Sequence, residues 1–138
     1  MELKFVREVF ENDRYLQLTD VVIEETGEDF CRCSMIVSEK HLNLADKVQG
    51  GAIFTLADSA FAIACNVGHM EKSDGLFTVS QSASITYLRA VTGGTLYAEA
   101  RKIGGGKKMS LFRIDVTDEQ GNLVSTMNGN AYTVRQQR

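Results

Sequence analysis

Residues 48–68, VQGGAIFTLADSAFAIACNVG, form a long apolar run that carries one charged side chain, Asp58. The run is rich in alanine and leucine, β-branched residues do not dominate it, and its apolar positions wrap nearly the whole circumference of a helix. Such a segment predicts a helix that needs cover on most sides. The Gly50–Gly51 pair marks its start, and Gly68 stands where a C-capping glycine would end it. Gln49, Gly50, Gly51, Asp58 and Asn66 interrupt the apolar character and no basic flanks anchor it, which argues against a membrane span. A carboxylate in this setting is costly unless something stabilises or uses it.

The rest of the chain supplies the cover. Leu3, Val6, Val9 and Phe10 fall at spacings of three and four and predict a short amphipathic helix. YLQLTDVVIEET and DFCRCSMIV read as two strands joined by the turn residues TGED. After an irregular stretch and the long helix come four strand-like runs: LFTVSQSASITYLRAV, GTLYAEARKI, KMSLFRIDVTD and LVSTMNGNAYTV. Short connectors rich in Gly, Asn and Asp separate them. The expectation is an α+β fold in which a single curved antiparallel sheet of about six strands wraps one long central helix. With 138 residues, no linker-like stretch and no internal repeat, residues 1–138 are expected to form one domain.

Composition narrows the partners. A net charge of −3 gives no general reason to bind nucleic acid or an anionic membrane, so any anion must be met by a local basic patch. Three cysteines argue against a disulfide framework and for a reducing compartment. Cys31 and Cys33 alternate onto one apolar strand face with Met35 and Val37, a pattern of core packing rather than metal binding. MELKFVREVFEND mixes charged and apolar residues at helical spacing and does not read as a secretory leader. A cytoplasmic protein is expected.

QGGAIFTLADSAFAIACN, preceded by HLN and followed by VSQSASITYLRAVTGGTLYAEARKIGGGKKMSLFRIDVTDEQGNLV, resembles the hot-dog-fold acyl-CoA thioesterases, in particular the PaaI-like branch of phenylacetate pathways. The resemblance runs from about residue 15 to residue 134. It implies hydrolysis of an acyl-CoA thioester to a carboxylic acid and free CoA, with no metal or bound cofactor and with coenzyme A as part of the substrate. It also implies a homo-oligomer, a dimer or tetramer, whose active sites lie at the dimer interface. Two departures stand out: Gln49 where the branch usually has histidine before the glycine pair, and Ala90 where proline commonly follows the Leu-Arg pair.

Thioester hydrolysis needs an activated water or nucleophile, charge stabilisation for the carbonyl oxygen, and an acyl slot. Amides at a helix N-terminus have no intrahelical acceptor, and Gly50 and Gly51 would expose theirs as an oxyanion hole. The competing reading is a tight, purely structural turn into the helix. Asp58 would act as nucleophile or general base; alternatively it is satisfied by Thr55, Ser59 or a backbone group. Gly51 and Asp58 face nearly the same side of the helix but lie about 10 Å apart along its axis. One thioester cannot easily touch both on one helix, whereas two helices meeting antiparallel would bring Asp58 of one to Gly50 and Gly51 of the other.

By the resemblance, Asn43 holds the attacking water, although on its own residues an Asx turn is the favoured reading. Gln49 is expected to position rather than to transfer protons. Gly106, Lys107 and Lys108 in the GGGKK turn, and Arg89, are candidates for the phosphates of CoA; solvated lysines on a hairpin are the plainer alternative. His41 and His69 are expected to be surface or loop residues. A non-catalytic acyl-CoA-binding protein and a hydrolase of acyl-carrier-protein thioesters are the rival functions.

Overall fold

The computed structural model describes residues 2–135. Two short helices, α1 (Leu3–Phe10) and α2 (Arg14–Thr19), precede a hairpin of β1 (Val21–Gly27) and β2 (Phe30–Ile36). A single 3-10 turn at Glu39–His41 leads to the long helix α3 (Gly50–Lys72). Four strands follow: β3 (Leu76–Tyr87), β4 (Thr95–Gly105), β5 (Met109–Thr117) and β6 (Leu123–Arg135). They join the hairpin in one six-stranded sheet of order β1-β2-β4-β5-β6-β3, antiparallel at every pairing.

The sheet curls around α3 because alternate residues of its strands form one apolar face. Cys31, Cys33 and Met35 of β2, Leu96, Ala98 and Ala100 of β4, and Phe112, Ile114 and Val116 of β5 are buried against Leu56, Ala60, Phe61 and Ala64 of α3. The two thiols of β2 sit 3.7 Å apart inside this core. By length and composition α3 could cross a membrane, but here Ile53, Leu56, Ala57, Ala60, Phe61, Ile63, Ala64 and Val67 are buried by the protein itself. At one sheet edge, α1 is fastened to β1 by Arg7, which donates from Nε (2.8 Å) and Nη2 (2.5 Å) to the carbonyl of Ile23. The other edge is β3.

Four expectations are corrected. Residues 15–19 are helical rather than extended, because Asp13 accepts hydrogen bonds from the amides of Tyr15 and Leu16 and nucleates α2, which ends on the left-handed Asp20. The long helix passes Gly68 and stops at Ser73, which takes the left-handed conformation (φ 50°) that Gly68 was expected to supply. Strand β3 ends at Tyr87 rather than at Val91. His41 is buried rather than on the surface: Nδ1 accepts from the Ser38 amide (2.9 Å), so Nε2 carries the proton donated to the Thr19 carbonyl (2.9 Å).

Candidate active site

Asp58 lies midway along α3, half-buried, on the wall of a cavity of about 360 Å³ lined by Phe10, Tyr15, Leu16 and Phe54. The two hydroxyls that could have satisfied it are engaged elsewhere. Thr55 Oγ1 donates to the Gly51 carbonyl (2.8 Å) and Ser59 Oγ donates to the Thr55 carbonyl (2.6 Å), each bonding back to the preceding turn. Among the described residues none donates a hydrogen bond to the Asp58 carboxylate or pairs with it. Burial therefore acts unopposed and pushes the carboxyl above the usual carboxylate range. A half-buried carboxylate, raised in basicity and facing a mostly apolar cavity, is suited to accept a proton or to attack an electrophile.

At the start of the helix, Gln49 is the N-cap in extended conformation (φ −61°, ψ 135°), with an exposed side chain that makes no capping bond. Its carbonyl takes the amides of Ala52 (2.9 Å) and Ile53 (3.2 Å). The amides of Gly50 and Gly51 precede any intrahelical acceptor and have none among the described residues. The glycines differ. A Cβ on Gly51 would meet only Gln49 Cγ, at 3.9 Å, whereas one on Gly50 would stand 3.2 Å from Cζ of Tyr87. The Tyr87 hydroxyl donates to the Gly50 carbonyl (2.9 Å). Asn43 turns its Oδ1 toward the amides of Ala45 (2.8 Å) and Lys47 (3.2 Å), so its oxygen builds the Asx turn that precedes the helix. That leaves its side-chain NH₂ as the group available to a ligand.

The phosphate-binding candidates fall at opposite ends of α3. Arg89 lies near the helix start, two residues before Val91, whose carbonyl takes the Val48 amide (2.8 Å); Arg89 Nη1 stands 3.9 Å from Asp118 Oδ2. Gly106 and Lys107 line a cavity of about 600 Å³ at the far end, beside Lys72, Asp74 and Lys102. About 33 Å of helix separates these ends. Lys108 places Nζ 5.6 Å from the centre of the Tyr132 ring. In the far cavity His69, expected as a loop residue, is bonded to Asp74 Oδ2 (2.8 Å) and Thr78 Oγ1 (3.1 Å), which tie the end of α3 to β3. Cys65 lines it too, but burial and the nearby Asp29 and Asp58 push its thiol up to about 12. Among the described residues, no three His, Cys, Asp or Glu side chains converge to hold a metal ion.

In the sequence Tyr87 lies inside a strand-like run, LFTVSQSASITYLRAV, with nothing local to mark it as a site residue. Its contact with Gly50 depends on where β3 ends and on the β3–β6 register, which pairs Tyr87 with Ser125. No local motif carries that information.

Comparison with known proteins bears on the whole arrangement. The pattern of the Thioesterase superfamily matches residues 47–125, spanning α3, β3, β4 and β5 and reaching the start of β6. The chain is 34% identical over 129 residues to a putative esterase of Archaeoglobus fulgidus, covering 93% of this chain and 80% of that protein. It is 32% identical over 127 residues to the acyl-coenzyme A thioesterase PaaI of Escherichia coli, covering 91% and 86%. The solved structure of the Escherichia coli PaaI protein, from the phenylacetic acid degradation operon, superposes with a TM-score of 0.85 at 30% identity, over 96% of this chain and 93% of that one. A pattern that starts at the turn into α3, joined to a superposition over nearly the whole chain, leaves one assignment: the chain belongs to the thioesterase superfamily, hot-dog-fold hydrolases of thioesters.

Proposed function

We propose that the protein hydrolyses an acyl-CoA thioester to a carboxylic acid and free CoA, with Asp58 as the reacting carboxylate and the Gly50 and Gly51 amides as the oxyanion hole. The observation that carries this reading is the carboxylate itself. Asp58 is half-buried and unpartnered among the described residues, with both neighbouring hydroxyls turned away. A carboxylate placed only for structure would be given donors.

In the general-base route Asp58 takes a proton from a water, whose oxygen attacks the thioester carbonyl. The negative charge on the carbonyl oxygen meets the glycine amides at the positive end of the helix dipole. Collapse of the tetrahedral intermediate breaks the C–S bond, and the proton held by Asp58 passes to the departing sulfur. In the nucleophilic route the carboxylate attacks directly, the C–S bond breaks and CoA leaves as the thiolate; water then cleaves the mixed anhydride, restoring the carboxylate and supplying the proton that the thiolate takes up. In this reading the Asn43 NH₂ holds the attacking water and Gln49 orients the thioester. Phe10, Tyr15, Leu16 and Phe54 are the acyl slot.

The site is shared between two copies. Within one chain, Gly51 and Asp58 are about 10 Å apart along the axis. The α3 stripe that bears them, running through Phe54, Ser59, Ala62 and Asn66, is only partly covered. Packing two such stripes antiparallel aligns each Asp58 with the other chain's glycines. Gly106, Lys107 and Lys108, or Arg89, then serve as phosphate contacts for the CoA tail.

Steady-state hydrolysis of an acyl-CoA panel, phenylacetyl-CoA included, by wild type and Asp58→Asn tests the reading. Loss of at least about 10³-fold in kcat for Asp58→Asn is the expected result. Equal rates would overturn it. Tight CoA-ester binding without turnover would favour a non-catalytic binding protein, and preference for acyl-carrier-protein thioesters would move the activity to that substrate class.

A further inference from the structure

The two glycines at the start of α3 are not equivalent, and the difference points to a residue outside the glycine–aspartate pair. Gly51 faces open space, whereas Gly50 lies beneath the ring of Tyr87, close enough that a Cβ would stand 3.2 Å from Cζ and 3.3 Å from Oη. The same hydroxyl donates to the Gly50 carbonyl at 2.9 Å. That carbonyl and the Gly51 amide belong to one planar peptide unit. A donor on the carbonyl therefore fixes the direction of the amide and, by polarising the unit, strengthens it as a donor.

The Gly50–Gly51 peptide opens the first turn of α3, so the helix holds it from one side only, and an oxyanion hole works only when its donors are held in place beforehand. Tyr87 adds a restraint from outside the helix, on a rigid support. It is the last residue of β3, paired opposite Ser125 of β6, and the next amide, Leu88, still bonds to the Val124 carbonyl at 2.8 Å. Ile85, two residues earlier on the same strand face, packs against the core.

We infer that Tyr87 is a positioning residue for thioester hydrolysis: its phenol holds and polarises the Gly50–Gly51 peptide so that the Gly51 amide meets the developing oxyanion. The inference rests on the proposed use of those amides as the oxyanion hole. Gly50 is then glycine to admit the tyrosine, and Gly51 is glycine to admit the substrate.

Tyr87→Phe keeps the ring on Gly50 and removes one oxygen. With the preferred acyl-CoA of the panel, kcat should fall about tenfold while KM stays within about twofold, since the lost interaction matters most when charge develops. A second readout is vibrational. In the slow Asp58→Asn background, the carbonyl stretch of bound acyl-CoA should lie below that of the free thioester. Adding Tyr87→Phe should return it partway. Should Tyr87→Phe fold poorly, trifluorotyrosine at position 87, whose phenol ionises near neutrality, retains the ring and should add an alkaline limb to the kcat profile as the donor proton is lost. An unchanged kcat and carbonyl stretch in Tyr87→Phe, with Asp58→Asn inactive, would overturn the role of Tyr87 and leave the hydrolase reading intact. A fully active Asp58→Asn would instead remove the reading beneath it.

Discussion

At the scale of single residues, the role proposed for Asp58 comes with a cost in stability. Its carboxyl titrates higher in the fold than in the unfolded chain because burial disfavours the charge and nothing compensates. The native state then holds this proton more tightly, so the contribution of Asp58 to stability is greatest below the ordinary value of 3.8 and is lost as pH rises through the raised one. Asp58→Asn removes that penalty, and near neutral pH it should raise Tm while abolishing turnover. Melting both proteins across the acidic range checks the sign: the gap should close as pH falls toward 3.8. The same upward shift requires kcat/KM to fall on an acidic limb that lies above the usual carboxylate range, where Asp58 becomes protonated. Cys65 is the contrast. Its thiol is pushed up to about 12, so iodoacetamide near neutral pH should leave it unmodified in the folded protein despite its place on a cavity wall.

At the scale of elements, the fit between α3 and the sheet is set by small residues. Gly129 of β6 faces Phe61 of α3 so closely that a Cβ there would lie 2.4 Å from the ring. Phe61 in turn rests against Phe112, with ring centres 5.5 Å apart, and cannot simply retreat. Gly129→Ala should therefore destabilise the fold by about 1–3 kcal/mol, read as a lower denaturant midpoint with an unchanged slope. That requirement is invisible in the chain, where Gly129 sits inside an ordinary strand pattern. The helix α3 itself was legible because apolar residues around its whole circumference demand cover, and the strands because alternation survives in each. Legibility failed where a single side chain decides the local structure. Asp13 turns Tyr15–Thr19 into a helix by capping two amides, against a run that alternates well enough for a strand. Gly68 resembles a helix stop, but Val67, the residue before it, is buried in the core, and packing carries the helix on to Lys72. The site shows the same division. Asp58 and the glycine pair announce themselves as a charge and a gap in an apolar run, whereas Tyr87 reaches Gly50 only through the register of β3 on β6.

At the scale of the whole molecule, the question is whether one chain holds a complete site. β3 is an edge strand of 12 residues, most of them exposed, and long open edges invite another strand. Near its start the edge is already occupied, because the Asn66 carboxamide accepts from the Thr78 amide (2.7 Å) and donates to the Thr78 carbonyl (2.9 Å). A second copy that used this edge would pair beyond Thr78, along Ser80–Tyr87. If that pairing completes the site, two inactive variants should rescue each other. Asp58→Asn lacks the carboxylate, and Gly51→Val puts a branched side chain beside the proposed oxyanion amide, at a position where a Cβ meets only Gln49 Cγ, at 3.9 Å. In an antiparallel pair of one variant with the other, one site joins both lesions and the other joins the intact Asp58 to the intact Gly51. Random reassortment of equal amounts makes about half the dimers mixed, each with one working site of two, so activity should return to about a quarter of wild type. Unfolding and refolding the mixture together, then assaying it beside the separately refolded variants, measures this directly. A site contained within one chain predicts no recovery at all, because every chain in the mixture carries a lesion.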